Sequence, residues 1–248
     1  MTPLVLFLLV SFIEVEPIWR LEGETRFAPK PQEMQQNPRY PWEEEETTPF
    51  KRITKEHFRC KGNALNPPHI VEQNGEVVYH YDCGGVGKHS LPIRDGKEFI
   101  YPLLLDLLNH VQESFGKKVI ITSGHRCLDH NTFVDASYRN HTSKHTIGAE
   151  AAFYVQGMEE EPLQVIQCLM EYFPKSPFQR YEKGDVDVST LPWYNREIYI
   201  KLYKPHEGRN IDHRHPYPYI SLQIRYDTHL NERVLFVWDQ AVKGYHRY

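Results

Sequence analysis

The chain has 248 residues, of which 40% are hydrophobic and 25% charged, and a formal net charge of −4. That length and apolar content suit one folded domain with additions. The slight acidity excludes the basic footprint of a nucleic-acid binder, and 16 tyrosines with 12 phenylalanines favour aromatic-rich strands.

Residues 1–13 end in the apolar run Leu4 to Ile13. It has the length of a signal-peptide core and is too short to cross a bilayer as a helix. No Lys or Arg precedes it, and no small-x-small cleavage site follows before Glu14. An exported protein of the periplasm or cell envelope is expected, touching a membrane only through this segment. A retained anchor or a buried hydrophobic start is the alternative. Residues 14–49 hold Pro17, Pro29, Pro31, Pro38, Pro41 and Pro49 with the run Glu43 to Glu46. Such a composition buries too little apolar surface to offset ordering and predicts a flexible tether. The folded domain is then 50–248.

Within it, Asn74-Gly75 stands between two alternating runs, Ile70 to Gln73 and Glu76 to His80, and predicts a β-hairpin with a type I′ turn. Glu98 to Phe115 carries Leu104, Leu108, Val111 and Phe115 on one helical face, with Gly116 as terminator. Lys118 to Ser123 reads as a buried strand running into a polar loop, 122–131. Glu161-Pro162 opens a second helix with Leu163, Ile166, Met170 and Phe173 inward, ended by Pro174. Glu197 to Tyr203, Tyr219 to Arg225 and Val234 to Trp238 alternate as strands do. The order predicts an α+β domain, an antiparallel sheet with helices packed on one face.

Four cysteines occur, Cys60, Cys83, Cys127 and Cys168. None forms a CxxC pair, so neither a zinc knuckle nor a redox motif is expected. In an exported chain Cys60 and Cys83 could close a loop across the hairpin, although four cysteines permit three full pairings. Cys168 lies in the second helix's apolar pattern and reads as a core residue.

The chemistry-bearing residues cluster in Ser123-Gly-His-Arg126, followed by His130-Asn131, and in Ser143-Lys-His145-Thr-Ile-Gly148. These segments resemble the S-G-x-R, H-N and S-x-H-x-x-G elements of the zinc D-alanyl-D-alanine carboxypeptidases, which share the Hedgehog/DD-peptidase fold. The resemblance covers roughly residues 98–226. It implies a groove for peptidoglycan stem peptide or another peptide carboxylate, clamped by Arg126 with Ser123, His130 and Ser143 beside it. A guanidinium fork suits a planar carboxylate; the alternative role for Arg126 is an ion pair with Asp129 or Asp135. The resemblance also implies zinc held by His145, an aspartate and a later histidine, with an acid activating the metal-bound water.

The departures are as informative as the matches. Ala152 occupies the aspartate position, and Ser221 and Gln223 stand where the later histidine and its neighbouring acid are sought. Glu150 is the candidate catalytic acid or substitute ligand, and would reach a metal only if its strand is bulged. His213 and His215 are candidate replacement ligands. The simplest expectation is a family fold without its metal, a pseudoenzyme that is non-catalytic or weakly active, with His145 bonded to Ser143 or a backbone carbonyl. An active zinc peptidase using His145, His213 or His215 and Glu150 is the first alternative. A structural or partner-binding envelope protein is the second.

Overall fold

A computed structural model describes residues 50–136, 142–182, 187–208 and 217–248. The hydrophobic start, the tether, and His213 and His215 lie outside the described residues.

After a 3-10 turn at Lys55–Phe58 comes a hairpin, β1 (His69–Gln73) and β2 (Glu76–His80), in strict antiparallel register. Asn74 at φ 54° and Gly75 at φ 81° supply the two positive φ values of the expected turn. A two-residue turn at Asp95-Gly96 then joins β3 (Ile93–Arg94) to β4 (Lys97–Glu98). The first long helix, α1, runs Pro102–Phe115 and ends on Gly116 in the left-handed region. It starts four residues later than the apolar pattern suggested. Pro102 is the cause, because its ring disfavours helical backbone at Tyr101, which sits at ψ 123°.

Strand β5 (Val119–Ser123) leads into α2 (Leu128–Val134). The stretch expected to be a polar loop is therefore partly helical, with the Cys127 sulfur capping it by accepting the His130 N–H. Strand β6 (Glu150–Val155) follows, then α3 (Pro162–Glu171), β7 (Gln179–Arg180), β8 (Trp193–Tyr194), β9 (Ile198–Tyr203) and β10 (Tyr219–Ile224). A short pair, β11 (Tyr226–Asp227) with β12 (Glu232–Arg233), and the helix α4 (Trp238–Lys243) close the chain.

Six strands form one antiparallel sheet in the order β5-β6-β10-β9-β8-β7. Its period-two alternation sorts the side chains. Phe153 and Val155 of β6, Ile198 and Ile200 of β9, and Leu222 and Ile224 of β10 share one core with Leu104, Leu107 and Leu108 of α1 and Ile166 and Leu169 of α3. Full burial of each such aliphatic side chain is worth about 1.5–3 kcal/mol. The domain is thus α+β, an antiparallel sheet with α1 and α3 on one face. The other face carries Glu150, Ala152, Ser221 and Gln223 in adjacent registers, Ala152 opposite Ser221 and Glu150 opposite Gln223.

Two expectations are corrected here. Leu163 is exposed rather than inward, because the buried stripe of α3 is centred on Val165, Ile166 and Leu169 and leaves it on the far side. Val234 to Val237 forms no strand. Val234 is buried and Leu235 and Val237 exposed, so the alternation holds in extended backbone that has no ladder partner. Trp238 starts a helix instead.

Candidate functional site

The loop after β5 is shaped by one close backbone approach. A Cβ at Gly124 would lie 2.6 Å from the Phe58 Cα and 2.7 Å from its carbonyl oxygen, so only glycine lets the two segments pass. The next residue fastens them, its His125 N–H donating to the Phe58 carbonyl at 2.7 Å. Arg126 then turns back, and its Nε donates to Ser123 Oγ at 2.7 Å. Arg126 is 1% exposed and Ser123 is also buried. A ligand carboxylate reaches this guanidinium only if its cover opens. Asp129 pairs with Arg247 at 3.5 Å.

His145 sits in a 3-10 turn, Lys144–Ile147, that ends at Gly148 with φ 72°. Its Nδ1 is 2.7 Å from the Gly124 carbonyl, which fixes that nitrogen as the N–H donor. A backbone-carbonyl partner of this kind suits His145 with or without a metal. Nε2 faces Glu150 Oε1 at 3.5 Å. The same Oε1 accepts the Ser221 hydroxyl at 2.7 Å and the Gln223 amide at 3.0 Å. Burial pushes the Glu150 carboxyl up, but the His145 field, the Ser221 and Gln223 hydrogen bonds and the Lys201 charge outweigh it and hold it below the ordinary carboxylate value.

Glu150 reaches His145 without the bulge that the sequence seemed to require. The β6–β10 register is regular from Glu150 to Phe153, and the irregularity of this region lies on β5 between Ile121 and Ser123. The tight turn at Gly148 folds the imidazole back over the first residue of β6, so the long Glu side chain needs no displaced backbone. Ala152 is fully buried and packs with Val188, Tyr203 and Tyr219.

As a holder for the zinc that the resemblance implies, this position falls short among the described residues. It offers one imidazole and one carboxylate, and the carboxylate oxygen nearest the imidazole already takes two hydrogen bonds. Ser221 and Gln223 donate toward Glu150 where ligands would be sought, and a catalytic zinc needs three protein ligands with an open position. Of the remaining candidates, Ser143 is half-buried at the start of the 3-10 turn, and its carbonyl accepts from Thr146. His130 is buried on α2 and its Nδ1 lies 2.6 Å from Asp82 Oδ1, an ion-pair geometry. The structure thus brings Ser123, Arg126, His145 and Glu150 to one place and turns His130 toward the hairpin.

On the hairpin side of the same loop stands a group that the sequence pattern did not reveal. Cys60, Cys83, Cys127 and His89 are buried, and their ligand atoms all lie within 4.8 Å of one another. The cysteines are unbonded, so the suggested Cys60–Cys83 disulfide is not formed. Hydrogen bonds from Cys127 and then Cys83 hold Cys60 toward the thiolate, and the same contacts push the Cys127 thiol up. Burial draws His89 down, but its hydrogen bonds to Cys60 and Cys83 prevail and raise it to about 10. The spacings between these four residues match no paired CxxC pattern. The readable trace is a glycine two residues after two of the cysteines, at Gly62 and Gly85. Cys168 is apart, in the main core under α3.

Residues 80–182 match the family model described as Peptidase M15. The matched span includes the Arg126 loop, His145 and Glu150 and stops before β9 and β10. The chain is similar to Peptidase M15 over that span, and the α+β antiparallel architecture is consistent with that similarity. No curated protein and no solved structure gives a significant match.

Proposed function

We propose that this chain is an M15-type peptidase-fold protein that does not run the family's zinc hydrolysis and instead binds a peptide ending in a free carboxylate, such as a peptidoglycan stem peptide. The observation that carries the first half is the hydrogen-bonded centre around Glu150. Ser221 and Gln223 engage the carboxylate that His145 faces, so the polar groups at the family's metal position bond one another. The second half rests on the resemblance at Ser123 and Arg126, whose guanidinium is already oriented by the serine. An exported, envelope-located protein is the setting in which such a ligand occurs.

The test combines turnover with binding. Full-length protein in excess zinc is incubated with a peptide ending in D-Ala-D-Ala, and released D-alanine is measured. In parallel the thermal transition is followed with and without peptide, since a ligand of the native state raises it. The expected result is no release and a stabilisation that Arg126→Lys removes. Release of D-alanine that is lost in His145→Ala would overturn the proposal.

A second reading has one observation in its favour. His145 Nε2 and Glu150 Oε1 are 3.5 Å apart, a separation that two ligands of one tetrahedral ion also show, and Nδ1 is already anchored. That reading needs a third ligand, His213 or His215, and makes the chain an active peptidase. Hydrolysis dependent on His145 would establish it. Absence of both turnover and peptide-induced stabilisation would favour a structural envelope protein.

A further inference from the structure

The geometry points to a four-coordinate structural zinc site built from Cys60, Cys83, Cys127 and His89, separate from the family's metal position. Three thiols and one imidazole are the donor set of closed, structural zinc sites, in which no position is left for water or substrate.

The distances fit one ion. With zinc–sulfur bonds near 2.3 Å and zinc–nitrogen bonds near 2.0 Å, a regular tetrahedron has S···S edges of about 3.8 Å and S···N edges of about 3.6 Å. Cys60 Sγ and Cys83 Sγ are 3.7 Å apart, and Cys83 Sγ is 3.6 Å from His89 Nε2. A disulfide would need sulfurs at about 2.0 Å. The two measured contacts therefore have the lengths of tetrahedron edges.

The surroundings are those of thiolate ligands. His89 Nδ1 is 3.0 Å from the Ser90 carbonyl, a contact that turns Nε2 toward the sulfurs. Backbone N–H groups point at two of the sulfurs, Gly85 to Cys83 at 3.3 Å and His130 to Cys127 at 3.4 Å. Asp82, beside Cys83, is tied to the Asn63 backbone, the Asn66 amide and His130. Tyr245 packs with the three cysteines and roofs them from the chain's C-terminal end. His125 is buried and lies edge-on to His89 and Tyr245.

The fold also has a use for such a staple. The hairpin β1–β2 forms its own two-stranded sheet, and Ile70, Val77 and Tyr79 on it are exposed. A lone hairpin is marginal in water. Cys60 and Cys83 bracket it, and Cys127 immediately follows Arg126. One ion would fasten the hairpin to the loop that presents the arginine.

The experiment uses the full chain purified under reducing conditions without chelator. Zinc per chain is measured for the wild type, Cys127→Ser and His145→Ala, and the wild type's metal shell is read by X-ray absorption. One zinc in the wild type and in His145→Ala, lost in Cys127→Ser, is expected, with three sulfurs at about 2.3 Å and one nitrogen at about 2.0 Å. Should Cys127→Ser fail to fold, the wild-type shell alone decides. A folded zinc-free protein, a Cys60–Cys83 disulfide in the unreduced mass spectrum, a shell of nitrogen and oxygen only, or loss of the zinc in His145→Ala would each overturn the site. Because His145→Ala retains the metal here, failure of this inference is distinguishable from failure of the peptide-binding reading.

Discussion

Two buried polar clusters flank the same loop between β5 and α2, and they solve the same problem in opposite ways. On one side Glu150 is a single anion that accepts from the Ser221 hydroxyl and the Gln223 amide, with the His145 ring 3.5 Å away. On the other, Cys60, Cys83, Cys127 and His89 bring four cation-binding atoms together, with backbone N–H groups of Gly85 and His130 on two of the sulfurs. A buried polar group is costly unless partnered. The first cluster meets that requirement with side chains alone, and the second meets it best with a metal. The presence of histidine near acid or thiol therefore does not locate a metal site; the balance of donors and acceptors around it does.

The sharpest way to break this comparison is to remove the metal. Chelation with a strong zinc chelator, or Cys127→Ser, should lower stability by more than ~3 kcal/mol, about 10 °C in the thermal transition of a domain this size, because zinc binding is folding free energy. Calorimetry with and without chelator checks it. If the Glu150 side were the metal site instead, chelation would still destabilise Cys127→Ser and would leave His145→Ala unchanged.

The next largest effect belongs to the hydrogen-bonded side. Glu150→Ala strips Ser221 and Gln223 of a buried acceptor and should cost roughly 2–4 kcal/mol by urea denaturation, while Glu150→Gln costs roughly half as much. Ser123→Ala removes the acceptor of the Arg126 Nε–H bond and should cost about 1.5 kcal/mol in the same assay.

A pH series refines the same contrast. The Glu150 carboxyl is held below its ordinary 4.5 in the folded chain. Its contribution to stability is present above about 4.5 and is lost as the pH falls through the lower, folded value. The wild-type melting temperature should thus fall more steeply below pH 4.5 than that of Glu150→Gln. Both proteins carry the cysteine cluster, so acid effects on that cluster cancel in the difference. The smallest expected effect is on the hairpin's outer face, where Val77→Thr should change stability by under ~0.5 kcal/mol.

Local signals carried much of the fold. Asn74-Gly75 set the hairpin and its register, the apolar spacing of 104, 108 and 111 set α1, and alternation set β9 and β10. Each depends on contacts a few residues apart, which a single sequence displays. Where tertiary partners decide, the pattern misled: Val234 to Val237 alternates like a strand but finds no sheet edge. The two halves of the site divide along the same line. Ser123, Arg126 and His145 were legible because they lie in short contiguous motifs, and Ala152, Ser221 and Gln223 were legible as departures from those motifs. That Ser221 and Gln223 would hydrogen-bond Glu150 was not, because it depends on the register of β6 against β10.

By itself the sequence determined which side chains are available, the hairpin turn, the helix end at Gly116, and the peptidase-like loop. Only the tertiary structure decided which donors and acceptors meet. Cys60, Cys83 and His89 lie in three separate irregular segments and Cys127 caps α2, and no periodicity links them. Their convergence follows from the Phe58 backbone crossing Gly124 and from Tyr245 closing over the sulfurs, contacts between segments up to 185 residues apart.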